Sequence, residues 1–232
     1  MSRNNEAIPL FPLELVLYPE EHLPLHIFEP RYREMVEFCL SRKRPFGIVL
    51  SQDGTLSEVG CAASIVEVQQ QYADGRKDIV VQGEFRFRIL GVANEHAFLT
   101  ADIIAVQDED TSVDVFVRER VIAQHIKLLE LAGRMPAPTQ YQDRPFLSYF
   151  IAHNTGLTVE QKQAVLELTS EVDRLKYLIS HLEKFIPMVE EVETLRSKVR
   201  SNGHFRDFPP DAASGHTGSD GAPDEGSPSS GD

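Results

Sequence analysis

The hydrophobic residues between positions 8 and 28 form three short runs, and prolines separate or interrupt them. Because proline has no backbone N–H to donate, this pattern predicts short, irregular or edge strands. After Phe28 the hydrophobic residues recur every three or four positions, and Pro30 suits the first position of a helix. The sequence therefore predicts strand, turn, strand and then a helix that ends in residues 41–44, before Pro45.

Further short hydrophobic segments follow, and turn-forming residues separate them. We predict strands over residues 46–50, 58–69, 78–92 and 97–106. Asp74 and Gly75 favour a hairpin turn between the second and third of these strands, and Gly83 predicts a bulge or sharp bend within the third. Six or seven strands with sharp corners predict a small bent sheet or a partly closed barrel, not a parallel βαβ fold.

From residue 108 onward the spacing of the hydrophobic residues is helical. We predict helices from Val113 to near Gly133, over 145–153, from Thr158 to near Thr169, and over 171–199. The predicted N-caps of these helices are, in chain order, Thr111 or Ser112, Asp143, Thr158 and Ser170. The last two of these residues begin capping-box motifs. Pro187 predicts a kink or a local break within the last helix.

Composition changes this picture mainly at the C-terminus. The chain is 41 % hydrophobic and 25 % charged, as is typical of a globular protein, but Gly, Pro, Ser, Ala and Asp dominate from residue 209 onward. Such a segment buries too little apolar surface to offset its chain entropy. We therefore predict a β domain over 6–107, a helical domain over 108–200 and a disordered acidic tail over 201–232.

Charge and cysteine content limit the class of protein. The net charge is −13 and no region of the chain is basic, which weighs against binding to nucleic-acid phosphates. Cys39 and Cys61 are the only cysteines, so we expect reduced core thiols and a cytoplasmic location. No hydrophobic run approaches the roughly 20 residues of a membrane span, and no signal-peptide pattern is present. We therefore expect no membrane association.

The sequence contains no recognisable motif for catalysis or cofactor binding. It has no P-loop, no dinucleotide-binding glycine motif after a strand, no HExxH and no GxSxG. His22 and His26 could share one face of a strand, but no third Cys or His lies close to them in sequence, so we predict no metal site. We expect no catalytic residues and no cofactor, and a binding protein rather than an enzyme.

Several segments resemble one protein family. Residues 8–36, IPLFPLELVLYPEEHLPLHIFEPRYREMV, are similar to the start of the N-terminal, substrate-binding domain of Lon proteases. The segments EVGCAASIVEV and VQGEFRFRI, and the helical segment over 147–186, resemble later parts of that domain in the same order. The resemblance covers about residues 6–200. No single segment is specific to the family, but the combination of these segments in this order is.

This resemblance implies an α+β fold. Its β part is a PUA-like bent sheet or pseudobarrel with one inserted helix, and an α-helical bundle that ends in a long helix follows. Lon proteases continue into an ATPase domain and a protease domain with a Ser-Lys dyad, neither of which is recognisable here. We therefore expect a stand-alone, non-catalytic member of the Lon N-terminal domain family, whose partners are proteins or unfolded peptide segments.

The leading hypothesis is a peptide-binding groove between the barrel and the helices. Phe28, Arg31 and Tyr32, at the predicted strand-to-helix corner, are its candidate contacts, and Phe85 and Phe87 are weaker ones. The alternative is that the aromatic residues simply belong to the core.

Two arginines near that corner oppose the helix dipole. Arg31 and Arg33 lie in the first turns of the predicted helix, where a positive charge is unfavourable. We therefore expect a fixed partner for them, which is Glu29, Glu34 or a carboxylate on a ligand.

An RNA-binding PUA-like module is the alternative function. It requires five cations to converge on one face of the protein: Arg42, Lys43, Arg44, Arg86 and Arg88. An enzyme of unrecognised type is a third hypothesis. We expect no nucleic-acid partner, and the sequence does not indicate an oligomeric state.

Overall fold

The β-strands of the first half form one seven-stranded sheet within the described part of the chain. The structure is a computed structural model that describes residues 7–94, 96–109 and 112–202, with side chains up to residue 199. The strands are β1 (Ile8–Leu13), β2 (His22–Ile27), β3 (Phe46–Gln52), β4 (Thr55–Leu56), β5 (Val59–Gln71), β6 (Lys77–Ala93) and β7 (Thr100–Ala105). The predicted tail lies outside the described residues, apart from the end of the last helix.

The helices follow the predicted order. Helix α1 (Pro30–Arg42) lies between β2 and β3, and the other helices come after β7. They are α2 (Val115–Leu131), α3 (Leu147–Ala152), α4 (Val159–Glu167) and α5 (Glu171–Asn202), with a short 3-10 helix over Pro138–Tyr141. The predicted α+β fold, with one inserted helix and a helical C-terminal part, is confirmed.

The sheet closes into a barrel. Antiparallel pairs join β1 to β7, β7 to β6, β6 to β5 and β5 to β3, and a parallel pair joins β3 back to β1. In that parallel pair Leu10 lies opposite Gly47 and Leu13 opposite Leu50. The connection between β1 and β3 contains β2 and α1, and β2 pairs with the first half of β6. The sequence did not reveal this parallel closure, because strand patterns do not specify partners.

The bulge predicted at Gly83 is present and serves a second purpose. Ala62 pairs with Phe85 and Ala63 with Gly83, so one residue of β6 is left over between them. A side chain at Gly83 would bring its Cβ to 2.2 Å from the carbonyl oxygen of Tyr18. Glycine therefore allows the loop after β1 to lie directly on β6.

Backbone hydrogen bonds hold that loop against β6. The N–H of Glu20 donates to the carbonyl of Gly83 at 2.8 Å, and the N–H of Gly83 donates to the carbonyl of Glu21 at 2.9 Å. The position of this loop is thus set by the barrel.

The hydrophobic residues form separate clusters for the barrel and the helices. Met35 and Val36 of α1 pack with β-strand residues in one cluster, and Leu10 and Phe87 belong to another. The helical cluster also includes β-region residues: Val16, Tyr18, Leu50 and Val59. The helices therefore pack on the barrel through these side chains, and the domain boundary at residues 107 and 108 stays a prediction.

A buried ion network also joins the barrel to the helices. Arg86 of β6 pairs with Asp108, and Arg174 of α5 pairs with both Asp108 and Glu171. The side chains of all four residues are at most 6 % exposed. Arg86 also donates to the carbonyls of Leu166 and Leu168, in each case at 2.7 Å. This network buries Arg86, one of the five cations that the RNA-binding hypothesis requires on one face of the protein.

The first two predicted helix caps are wrong. Asp114, one residue before α2, accepts the N–H of Phe116 at 2.7 Å, so neither Ser112 nor Thr111 is the N-cap; Thr111 itself lies outside the described residues. Helix α3 begins at Leu147 and has no side-chain cap. Asp143 has a φ of 51° and lies in a turn before α3, and its side chain caps none of the amides of that helix.

The two later caps are confirmed. Thr158 and Gln161 form both hydrogen bonds of a capping box, and the side chain of Ser170 accepts the N–H of Asp173 at 3.3 Å. Helix α5 runs through Pro187 to Asn202, so the local break is absent, and the alternative, a kink at Pro187, stays a prediction.

Candidate functional site

Two neighbouring cavities lie along the seam where the barrel meets the helices. Their volumes are about 240 and 310 Å³, and Pro19, Phe146 and Tyr149 belong to the walls of both. Pro19 lies in the loop that rests on Gly83, and Phe146 and Tyr149 come from the start of α3. We call the two cavities together the seam groove. The sequence analysis also expected a groove between the barrel and the helices, but with Phe28, Arg31 and Tyr32 as its contacts.

The first cavity of the seam groove lies between the loop after β1 and α3. Its wall consists of Pro19, Glu20, Glu21, His22, Arg144, Phe146, Tyr149, Phe150, His153 and Asn154. Nδ1 of His153 lies 2.6 Å from Oε1 of Glu21, and Oε2 of Glu21 accepts the N–H of Tyr18 at 2.9 Å. Both oxygens of Glu21 are therefore engaged within the protein.

The second cavity lies between β6, the end of β7 and α3. Beyond the shared residues, its wall consists of Glu84, Phe85, Arg86, Ala105, Val106, Gln107 and Asp108. Phe85 is 38 % exposed, whereas Phe87 is fully buried. Phe87 fills the barrel interior, where a Cβ on Gly47 or Gly60 would come within 2.7 Å of its ring. Of these two weaker candidates, only Phe85 borders the groove.

Tyr149 contributes an unusual polar group to the seam groove. The residue is 4 % exposed, and its hydroxyl has no hydrogen-bond partner among the residues that the structure describes. Its ring stacks on Tyr18 at 5.2 Å, and the guanidinium of Arg174 lies 4.5 Å from the ring centre. Burial raises the pKa of the Tyr149 hydroxyl, so the group is protonated at neutral pH.

The three residues proposed from the sequence lie together elsewhere. Phe28, Arg31 and Tyr32 border a third cavity of about 230 Å³ at the corner between β2 and α1, and that cavity shares no wall residue with the seam groove. Phe28 is 58 % exposed, but Tyr32 is 7 % exposed and its ring packs 4.3 Å from that of Phe11. We call this cavity the corner cleft, and its role in binding stays a prediction.

Both arginines at the start of α1 have partners within the chain. Arg31 pairs with Glu29 at 2.9 Å and lies 4.5 Å above the ring of Tyr32, as the helix-dipole argument expected. Arg33 donates to the backbone carbonyl of Asp74 in the β5–β6 hairpin, rather than to Glu34.

The cationic surface required by the RNA-binding alternative does not form as expected. Arg86 is 3 % exposed and lies in the buried ion network, and Arg88 pairs with Glu58 at 2.7 Å. Lys43 ends α1 in the left-handed conformation, and the guanidinium of Arg42 stacks 4.0 Å from the ring of Phe38. These observations give the RNA-binding alternative no support.

Metal-ligating groups are not clustered in the described part of the chain. Among those residues, no group of three or more His, Cys, Asp or Glu side chains could hold a metal ion. His26 instead lies 2.5 Å from Asp78, which also accepts the hydroxyl of Tyr72. Cys39 and Cys61 are free and buried, and burial raises the pKa of the Cys39 thiol to about 12. No described helix is both long and apolar enough to cross a membrane.

Comparison with known proteins identifies the family. A family model described as the ATP-dependent protease La (LON) substrate-binding domain matches residues 7–184. The chain belongs to this family. The sequence-based resemblance to the Lon N-terminal domain is therefore confirmed, and the match is to the substrate-binding domain.

Individual relatives agree with the family match. The chain is 25 % identical over 202 residues to Lon protease 1 of Hydrogenovibrio crunogenus. The aligned region covers 81 % of this chain and 25 % of that protein. It is 24 % identical over 209 residues to the Lon protease of Escherichia coli K12, covering 83 % of this chain and 26 % of that protein. The chain thus spans about a quarter of the length of these curated relatives.

Solved structures share the fold. A Lon N-terminal domain protein from Xanthomonas campestris aligns with a TM-score of 0.61 and 21 % identity, over 75 % of this chain and 98 % of that one. The N-terminal domain of a Lon protease from the Mycobacterium avium complex aligns with a TM-score of 0.61 and 19 % identity, over 77 % and 98 % of the two chains.

Sequence reasoning missed the residues at the centre of the seam groove. It did not single out Pro19, Phe146 or Tyr149 as candidate site residues. A usable signal was Gly83, because glycine within a strand can mark a close approach of another backbone segment. That segment is the loop that carries Pro19.

Proposed function

We propose that this chain is a non-catalytic recognition module that holds segments of other polypeptides by their large apolar side chains in the seam groove. The observation that carries the proposal is the meeting of two cavities at Pro19, Phe146 and Tyr149, in a member of the Lon substrate-binding domain family. The partners are proteins or unfolded peptide segments.

The dimensions and chemistry of the seam groove support a peptide ligand. Ligand pockets are concave, mostly apolar, and contain a few placed polar groups. Two adjoining cavities of about 240 and 310 Å³ can take apolar side chains from neighbouring positions of one peptide. The walls are also held in place, because Gly83 fixes the loop after β1 and Glu171 binds Ser148 of α3 through two hydrogen bonds.

Binding of fluorescently labelled twelve-residue peptides, measured by anisotropy, tests the proposal. One peptide carries Phe and Leu at two neighbouring positions, and its matched partner carries Ser at both. We expect the chain to bind the first peptide in preference to the second. Phe85→Ser should weaken that binding about five- to tenfold, since burying an aromatic contact contributes about 1–2 kcal/mol.

Two exposed phenylalanines outside the seam groove provide matched controls. Phe116→Ser alters an 80 % exposed side chain on α2 that borders neither cavity and should leave binding unchanged. Phe28→Ser tests the corner cleft in the same way. If Phe28→Ser loses binding and Phe85→Ser does not, the peptide binds in the corner cleft, at Phe28, Arg31 and Tyr32, and not in the seam groove. Failure of the native chain to prefer the apolar peptide would refute the recognition function.

We also propose a reducing compartment, such as the cytoplasm, as the location of this protein. Two buried cysteines that are not joined in a disulfide support that assignment.

A further inference from the structure

Arg144 lines the first cavity of the seam groove and, like Arg33, Arg42 and Arg118, forms no ion pair with a carboxylate of the described residues. Arginines that pair with a carboxylate are Arg31, Arg76, Arg86, Arg88, Arg120 and Arg174. No carboxylate in the described part of the chain pairs with Arg144, although acidic residues outnumber basic ones by 36 to 23. Glu171, which borders a neighbouring cavity together with Arg144, pairs with Arg174 instead.

The side chain of Arg144 is nevertheless held in one place. Its guanidinium carbon lies 3.9 Å from the ring centre of Phe150, and its Nε donates to the carbonyl of Gln140 at 2.6 Å. These contacts use one face of the guanidinium and one of its five N–H donors. The terminal amino groups form no hydrogen bond within the described residues, and Arg144 belongs to the wall of the first cavity, as Phe146 and Tyr149 do.

The carboxylates of the first cavity do not neutralise Arg144. Glu21 uses both oxygens, one on His153 and one on the N–H of Tyr18. Glu20 is exposed at the rim, and no cation in the described residues forms an ion pair with it. A ligand with one carboxylate therefore meets a free guanidinium, whereas a ligand with several acidic groups is also repelled by Glu20.

We propose, on the basis of the proposed function, that the seam groove selects a carboxylate adjacent to a large apolar side chain, with Arg144 binding the carboxylate. The apolar side chain enters between Pro19 and Phe146, and the terminal amino groups of Arg144 donate to the two carboxylate oxygens. Charge-assisted, bidentate hydrogen bonds of this kind are among the strongest in proteins. The carboxylate comes from the C-terminus of a polypeptide or from an internal Asp or Glu side chain.

Two pairs of labelled peptides separate these sources. The first pair has the same sequence ending in Phe, as the free acid or the C-terminal amide. The second pair is amidated and contains either Glu-Phe or Gln-Phe in the middle. We expect the native chain to bind the acid member of at least one pair about tenfold more tightly, the effect of one hydrogen-bonded charge. The pair that shows the difference identifies the source.

Substitutions at Arg144 test whether this residue binds the carboxylate of the peptide. Arg144→Gln should bind the acid and neutral peptides with equal affinity, so the substitution should weaken binding of the acid peptide more than binding of the neutral one. Arg144→Lys should recover only part of the preference, because an ammonium group lacks the planar fork of guanidinium. Arg120→Gln, which alters an arginine paired with Glu183, is the matched control and should keep the full preference.

The remaining outcomes overturn the inference in distinguishable ways. Equal affinities of the native chain for all four peptides, each tighter than that for a Ser-containing peptide, would refute carboxylate selection and leave the recognition function standing. An equal loss of acid and neutral peptide in Arg144→Gln would make Arg144 a structural residue. Absence of binding to any of these peptides would refute both proposals.

Discussion

Replacing Arg174 with methionine removes a guanidinium from the buried network that joins the barrel to the helices. Arg174 is 0 % exposed and donates to Asp108, Glu171, the Ser148 hydroxyl and the carbonyl of Leu168. Methionine is also long and flexible, so it fills most of the vacated space and keeps the cavity contribution small. The substitution therefore measures mainly the loss of charge pairing.

The structure allows the size of that loss to be worked out. Without Arg174, Asp108 still pairs with Arg86, but Glu171 keeps only the backbone N–H and the hydroxyl of Ser148 as donors. Glu171 is 1 % exposed, so its charge cannot be hydrated in place. Removing one member of a buried ion pair costs about 3–5 kcal/mol. For a chain of this size, this corresponds to a fall in Tm of about 10 °C.

Urea denaturation followed by circular dichroism at neutral pH measures this cost. The double variant Arg174→Met with Glu171→Gln removes the stranded charge as well. We expect it to be less destabilised than the sum of the two single variants, with a coupling of at least about 2 kcal/mol. Arg88→Met is the matched control, because Arg88 forms an exposed pair with Glu58 that contributes less than about 1 kcal/mol.

Two results would contradict this reasoning. An Arg174→Met variant within about 0.5 kcal/mol of the native chain would mean that the network adds no stability over an apolar side chain. Additive effects of Arg174→Met and Glu171→Gln would mean that the two charges do not depend on each other.

Three further predictions concern stability and the groove. Gly83→Ala should destabilise the chain by about 1–3 kcal/mol in urea denaturation, because the new Cβ would lie 2.2 Å from the carbonyl oxygen of Tyr18. The same substitution should weaken peptide binding, since it displaces the loop after β1. Unchanged peptide binding would mean that this loop is not part of the binding site. Burial lowers the pKa of His125 to about 4, from an ordinary value near 6.5, so the folded chain favours the neutral imidazole and protonation of His125 destabilises it. We expect up to about 3 kcal/mol of stability to be present above pH 6.5 and lost progressively as the pH falls toward 4, whereas His125→Gln should show a weaker pH dependence over that range. Thr158→Ala removes a capping box and should cost about 1 kcal/mol in the same assay, whereas Thr158→Ser should cost much less.

The sequence predicted local features best where one or two neighbouring residues decide the conformation. Pro30 begins α1, the Thr158 box begins α4, and Gly83 marks a bulge, each through backbone chemistry that needs no distant partner. The cap of α2 was wrong by two or three residues, because several polar residues precede that helix and only the folded chain selects among them, and α3 has no side-chain cap. The candidate site was less predictable, since its walls come from segments about 125 residues apart in the chain.

Three neighbouring residues of β6 show most clearly what the sequence could not predict. Side chains alternate along a strand, so Phe85 and Phe87 share one face and Arg86 lies on the other, but the amino-acid pattern does not say what covers each face. In the folded chain Phe87 fills the barrel interior, Phe85 borders the seam groove, and Arg86 is covered by the helical half.

The sequence by itself determined the family, the α+β class, the order of strands and helices and the turns that glycine and proline impose. Those properties depend on local backbone preferences and on the period of hydrophobic residues. Only the tertiary structure decided that β1 and β3 pair in parallel to close the barrel, that Arg86 is buried, and that Pro19 meets Phe146 and Tyr149. These features depend on which distant parts of the chain come into contact. Burial and ion pairing between such parts produce no regular pattern of residues in the sequence.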